Sequence, residues 1–132
     1  MTGQIIALQN AEAVRRPRPV HRLSPQSLCG TVETAVAATF AVPPAHLRAK
    51  TRGVFLVAFA RQSAMYLAHV VFGLSFTQVG RYFGRDRTTA AHAARLIEER
   101  RDDPAIDALL GALETACRAL SDRAPGGGEV RS

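Results

Sequence analysis

Along this chain the apolar residues fall at the three- and four-residue intervals of helices. Leu28, Val32, Val36 and Phe40 mark one buried stripe. Ser24 followed by Pro25 reads as an N-cap with proline at the first helical position, so the first helix is predicted from there to about Phe40. Val42-Pro43-Pro44 stops it, because proline cannot continue a helix and restricts the residue before it. A short second helix is predicted over Ala45 to Ala49, then a basic loop, Lys50-Thr51-Arg52-Gly53, then a third helix from about Val54 to Phe72 that closes at Gly73.

Ser75-Phe76-Thr77-Gln78 is a capping box, which opens a short fourth helix burying Phe76, Val79 and Phe83 and ending at Gly84. Arg85-Asp86 supplies a turn, and Asp86 caps a fifth helix from about Arg87 to Arg101. Asp103-Pro104 opens a sixth, with Ile106, Leu109, Leu110, Leu113, Cys117 and Leu120 along one face. Two short helices joined by a tight glycine-containing turn make a helix-turn-helix. The expectation is an all-α, helix-turn-helix bundle of about six helices.

The ends differ from the middle. Residues 1–23 hold Arg15-Arg16-Pro17-Arg18-Pro19 and no sustained apolar period, so they are expected to form a flexible basic arm. Ala124-Pro125-Gly126-Gly127-Gly128 gives residues 121–132 the composition of a disordered tail, and leaves one domain over 24–120.

Charge sharpens this picture. Of the 132 residues, 17 are basic and 11 acidic, and the net +6 is concentrated in residues 51–100, which carry +4, whereas residues 101–132 carry −2. All the basic residues but Lys50 are arginines, whose forked guanidinium suits phosphate and guanine edges. That favours a polyanionic partner. Val54 to Gly73 is as long as a membrane span, about 20 residues. Arg61, Gln62, Ser63 and His69 interrupt it, and a central arginine costs about 2.5–3.5 kcal/mol on insertion, so a buried core helix and no membrane are expected. No secretory signal is recognised at the N-terminus. Cys29 and Cys117 lie inside apolar helical patterns and read as buried thiols, and the histidines and cysteines lack metal-ligand spacing. No metal, cofactor, small-molecule substrate or catalytic constellation is expected.

A recognition helix docks with its N-terminal turn leading, which makes Arg87, Thr88 and Thr89 the candidate base readers and His92 a lesser one. Arginine can bond guanine O6 and N7 together, and a threonine methyl can meet the thymine methyl. Arg95, further along, would lie near phosphates. Ser75, Thr77, Gln78 and Arg81 of the fourth helix and Arg85 of the turn are candidates for the DNA backbone, together with the amides that open the fourth and fifth helices.

Gly84-Arg85-Asp86-Arg87-Thr88-Thr89-Ala90-Ala91-His92-Ala93, preceded by Phe76-Thr77-Gln78-Val79-Gly80-Arg81-Tyr82-Phe83, resembles the C-terminal DNA-binding domain of the bacterial replication initiator DnaA. The resemblance extends from about Leu28 to Leu120 and takes in Arg61-Gln62-Ser63-Ala64-Met65. It implies a Trp-repressor-like helical fold, double-stranded DNA as the partner, minor-groove and phosphate contacts from Lys50 and Arg52, and backbone contacts from Arg61 and Gln62. Arg87 stands where the family has histidine, and one glycine is missing before Arg85. No phosphate-binding loop of an ATPase is recognised, so the expectation is a stand-alone, nucleoid-associated cytoplasmic regulator of transcription, working with a partner transcription factor or RNA polymerase. Two alternatives stay open: a replication modulator competing at initiator boxes, and an adaptor that binds a protein through Phe55, Leu56 and Phe59.

Overall fold

The computed structural model describes residues 23–49 and 55–123. The arm with Arg15, Arg16 and Arg18, the loop residues Lys50 and Arg52 with Val54, and residues 124–132 of the tail lie outside them. Six helices are described: α1 Pro25–Phe40, α2 Pro44–Arg48, α3 Phe55–Phe72, α4 Phe76–Phe83, α5 Arg87–Arg100 and α6 Pro104–Arg123.

Local chemistry accounts for most of the boundaries. The Ser24 hydroxyl accepts from the Ser27 amide at 3.1 Å, and Pro25 follows at the first helical position. Ala41 closes α1 in the left-handed region, φ 57°, while the Val42 amide returns to the Ala37 carbonyl at 3.0 Å. α2 begins at Pro44, one residue earlier than expected, and ends at Arg48 because Ala49 is already extended. α5 stops at Arg100, with Arg101 as its C-cap. The expected tail is shortened: α6 runs three residues beyond Leu120, since Ser121 is buried and its hydroxyl donates to the Arg118 carbonyl.

α3 is the central element and packs against every other helix. From Phe59 to Ala68 its residues are buried apart from Gln62, so its high apolar content serves a core in contact on several sides. Arg61 sits within this run, its guanidinium bonded to the carbonyls of Leu47 and His46. The Val54 to Phe59 run divides between roles. Phe59 and Ala60 are buried, whereas Phe55 is 66% and Leu56 45% exposed. Phe76 is only half-buried, stacked on His69 with ring centroids 4.0 Å apart.

Two polar networks hold the helices in place. The Glu33 carboxylate, 6% exposed in α1, accepts from Tyr82 Oη of α4 at 2.9 Å and from Arg48 Nε of α2 at 2.6 Å. At the other end of the bundle, Arg101 donates to Asp107 Oδ1 at 2.6 Å, to Glu114 Oε2 at 2.7 Å and to Tyr66 Oη at 2.9 Å, while Tyr66 donates to Glu98. Burial works against the charge on Arg101, but its bonds to Glu114, Asp107 and Tyr66 outweigh that and hold its proton above the ordinary value. Burial raises Cys29 to about 12, with the Glu33 charge adding to it, and raises Cys117 to about 11, so both are inert thiols.

Candidate nucleic-acid interface

The helix-turn-helix is assembled by its caps. In α4 the Ser75 hydroxyl accepts from the Gln78 amide at 3.1 Å and the Gln78 side chain accepts from the Ser75 amide at 2.9 Å, completing the capping box. Gly84 closes α4 at φ 72°, where a side chain would be strained. Arg85 N donates to the Gly80 carbonyl at 2.8 Å, and a Cβ on Gly80 would stand 2.4 Å from the Arg85 carbonyl oxygen. Only glycine therefore fits at position 80, where the turn folds against α4.

Asp86 then caps α5, its carboxylate accepting from the Thr89 amide at 2.8 Å. That bond holds the Asp86 carboxyl below the usual carboxylate range, so it is ionised at neutral pH. With one amide of the turn satisfied this way, Arg87, Thr88 and Thr89 are exposed side by side at the leading end of α5, and His92 is exposed one turn on. Arg95 is exposed too, its Nη2 3.0 Å from His92 Nδ1. The four expected base readers and Arg95 are thus all exposed on α5, three of them in its first turn.

The expected backbone residues divide. Thr77 and Arg81 are exposed on α4, and Ser75 and Gln78 belong to the capping box. Gln62 is half-buried beside α5, in a shallow cleft of about 110 Å³ that Thr89 and His92 also line. Arg61 and Arg85 reach this cleft but are largely occupied. Arg61, 7% exposed, donates from Nε to the Leu47 carbonyl at 3.0 Å and from Nη2 to the His46 carbonyl at 3.1 Å. Arg85 donates from Nη1 to the Phe83 carbonyl at 2.9 Å and from Nη2 to the Ala49 carbonyl at 3.0 Å. Burial and the neighbouring Arg85 charge lower the Arg61 pKa. Lys50 and Arg52 lie outside the described residues.

Sequence reasoning passed over three residues that shape this face: Gly80, Glu33 and Tyr82. Gly80 could have been noticed as a glycine inside a helix, which costs about 1 kcal/mol against alanine and calls for a packing reason. Glu33 and Tyr82 gave no such signal, because one acid on a helix face reads as solvated. A second cleft, about 410 Å³, opens between α1, α2 and α4 and is lined by Gln26, Arg48, Gln78, Arg81 and Tyr82. Among the described residues no cluster of His, Cys, Asp and Glu could hold a metal ion.

The bacterial DnaA protein helix-turn-helix family matches residues 29–97, just over half of the chain. The chain is 36% identical over 115 residues to the chromosomal replication initiator protein DnaA of Sphingopyxis alaskensis, covering 86% of this chain and 25% of the initiator. A crystal structure of a DNA replication initiation factor superposes with a TM-score of 0.63 at 31% identity, covering 86% of this chain and 34% of that one. The chain thus spans about a quarter to a third of the length of these relatives.

Proposed function

The chain belongs to the bacterial DnaA helix-turn-helix family, and from that membership we propose that it binds double-stranded DNA sequence-specifically, with the first turn of α5 in the major groove. The observation that carries this reading is the row of exposed side chains Arg87, Thr88 and Thr89 directly behind the Asp86 cap. Their hydrogen-bonding groups suit base edges, and the cap holds the turn so that they enter together. Arg95, Thr77, Arg81 and Gln62 border the same elements and are assigned to the DNA backbone. Lys50 and Arg52, three and one residues before Gly53, are assigned to the adjoining minor groove and phosphates. The role is that of a site-specific regulator, with transcription as its principal process. Catalysis has no part in it.

Selection of duplexes from a random pool, followed by anisotropy titration of the selected consensus, tests the reading. Tight binding to a defined consensus is expected, with log affinity falling linearly as log salt rises, by roughly 0.9 per phosphate neutralised. Failure to select any sequence, or affinity indifferent to salt, overturns it. Mapping the tagged protein across the genome then separates roles. Peaks at promoters support transcriptional control, and peaks confined to initiator boxes support competition with replication initiation.

The exposed Phe55 and Leu56 favour one addition to this reading. Phe55 stacks on Phe59 with ring centroids 6.0 Å apart, and the Arg100 guanidinium lies 5.4 and 5.3 Å from the two rings. Arg100 ends α5, so this apolar patch sits roughly 20 Å along the helix from Arg87, at about 1.5 Å per residue. A protein partner can dock there, a second transcription factor or RNA polymerase, while the other end of α5 reads DNA.

A further inference from the structure

We propose that the cleft between α1, α2 and α4 is a phosphodiester site, in which the terminal nitrogens of Arg48 and the guanidinium of Arg81 hold one singly charged phosphate group. The duplex part of its test rests on the functional reading above, whereas the cleft itself does not.

The cleft, about 410 Å³, opens where Gln26 in the first turn of α1 and Arg48 at the end of α2 meet Gln78, Arg81 and Tyr82 of α4. Its walls offer donors. Arg48 gives Nε to Glu33 Oε2 at 2.6 Å, and its two terminal nitrogens make no bond among the described residues. Arg81 is exposed and its side chain bonds to none of them. Gln78 spends its oxygen on the Ser75 amide, so its NH2 group is what remains. The carboxylate joined to these walls, Glu33, is 6% exposed and already accepts from both Arg48 and Tyr82. Burial, with the bond to Glu33 and the Glu33 charge adding to it, pushes the Tyr82 hydroxyl up to about 12, so it stays neutral. Two guanidiniums and one carboxylate leave a single net positive charge. That matches a phosphodiester, which carries one negative charge and two free oxygens that forked donors fit. The cleft also borders the helix-turn-helix. α4 is one of its walls and packs against α5 as well. The end of α2 meets the turn, where Arg85 Nη2 donates to the Ala49 carbonyl at 3.0 Å and a Cβ on Gly84 would stand 4.0 Å from the Arg48 carbonyl oxygen. The backbone of a bound duplex is therefore one source of the diester, and a small free molecule is the other.

Gln26→Glu tests the site without disturbing its supports. The new carboxylate enters the cleft, leaves the Arg48–Glu33 pair in place and suits the first turn of a helix, so the melting temperature is expected to hold or rise. Thr34→Glu, at an exposed position about 12 Å further along α1, changes the net charge equally and serves as the control. Dimethyl phosphate is titrated into the full chain labelled with nitrogen-15. Saturable shifts of the Gln26, Gln78 and Arg81 amide signals are expected in the wild type and in Thr34→Glu, and their loss in Gln26→Glu and Arg81→Gln. Anisotropy on the selected consensus duplex then separates the sources. If the DNA backbone supplies the diester, Arg48→Gln, shown by melting to be folded, lowers the slope of log affinity against log salt by about 0.9, with or without a response to the free ion. If a free diester is the ligand, the shifts appear and the slope stays at the wild-type value. Three results overturn the proposal: no shifts together with an unchanged slope, equal shifts in Gln26→Glu and wild type, or inorganic phosphate producing the shifts at lower concentration than dimethyl phosphate. Lack of any duplex selected by the wild-type chain would defeat the functional reading instead, and the dimethyl phosphate titration would then decide the cleft alone.

Discussion

At position 87 a guanidinium leads α5 with no protein partner among the described residues and an ionised cap directly behind it. Arg87→Ala is expected to cost about 1–3 kcal/mol at the selected site and to relax base preference at one position. Competition against single-base variants of that site checks this, and an equal loss on random DNA would reassign Arg87 to a phosphate. Ser63 offers a contrasting test, because its hydroxyl is buried in α3 without a hydrogen-bond partner among the described residues. Since an unsatisfied buried donor costs about 1–3 kcal/mol, Ser63→Ala is expected to raise the melting temperature. The buried thiols add a pH effect. Cys29 is raised from an ordinary 9.0 to about 12, so the folded state keeps it protonated where the unfolded chain would ionise. The contribution is complete below pH 9 and is lost as pH rises toward 12. At pH 8, alkylation followed by mass spectrometry should label neither cysteine until denaturant is added.

Each short helix depends on its ends, because few residues in it are buried. Only Val79, Gly80 and Phe83 are buried in α4, so the capping box carries an unusual share of its stability. Ser75→Ala is expected to cost about 1 kcal/mol and to lower affinity for DNA as well, since α4 sets the angle of the turn. Gly80→Ala should do more harm, because the new methyl would stand 2.4 Å from a backbone oxygen that cannot swing aside. Circular dichroism melts and anisotropy on both variants separate lost fold from lost binding. The Asp86 cap predicts a direction with pH. Its carboxyl is held below the ordinary value by the Thr89 amide, so its stabilisation of α5 is complete above that ordinary value and disappears as pH falls through the lower folded one.

Across the whole molecule, two charge networks at opposite ends fix how the helices cross. Glu33 ties α1 to α2 and α4, and Arg101 ties the end of α5 to α3 and α6. Removing Arg101 leaves Glu114 without its cation while Tyr66 keeps only its bond to Glu98, and Arg101→Ala is expected to lower the melting temperature by several degrees, about 4–8 °C for each kcal/mol lost in a domain of this size. Because these contacts lie at the far end of α5 from Arg87, affinity for DNA in the folded variant should stay close to that of the wild type. The sequence carries +4 over residues 51–100 and −2 over residues 101–132, a balance that suits a polyanionic partner for the segment holding the helix-turn-helix.

The sequence by itself determined the elements and the helix-turn-helix. Caps at Ser24, Ser75 and Asp86, stops at Pro43 and Gly84, and apolar spacing all act within four or five residues, so they could be read along the chain. The exposed triplet Arg87, Thr88 and Thr89 followed from the same local rules. Which arginine has a partner was decided only in the tertiary structure. Arg61, Arg85 and Arg87 look alike in sequence, yet the first two reach carbonyls 14 to 36 residues away and the third reaches none among the described residues. Glu33 and Tyr82, 49 residues apart, meet only because α1 and α4 pack side by side. Local periodicity carries no information about such encounters. Burial sets their outcome, because a charge taken out of water must find a partner, and only the packing of the helices says which charges are taken out.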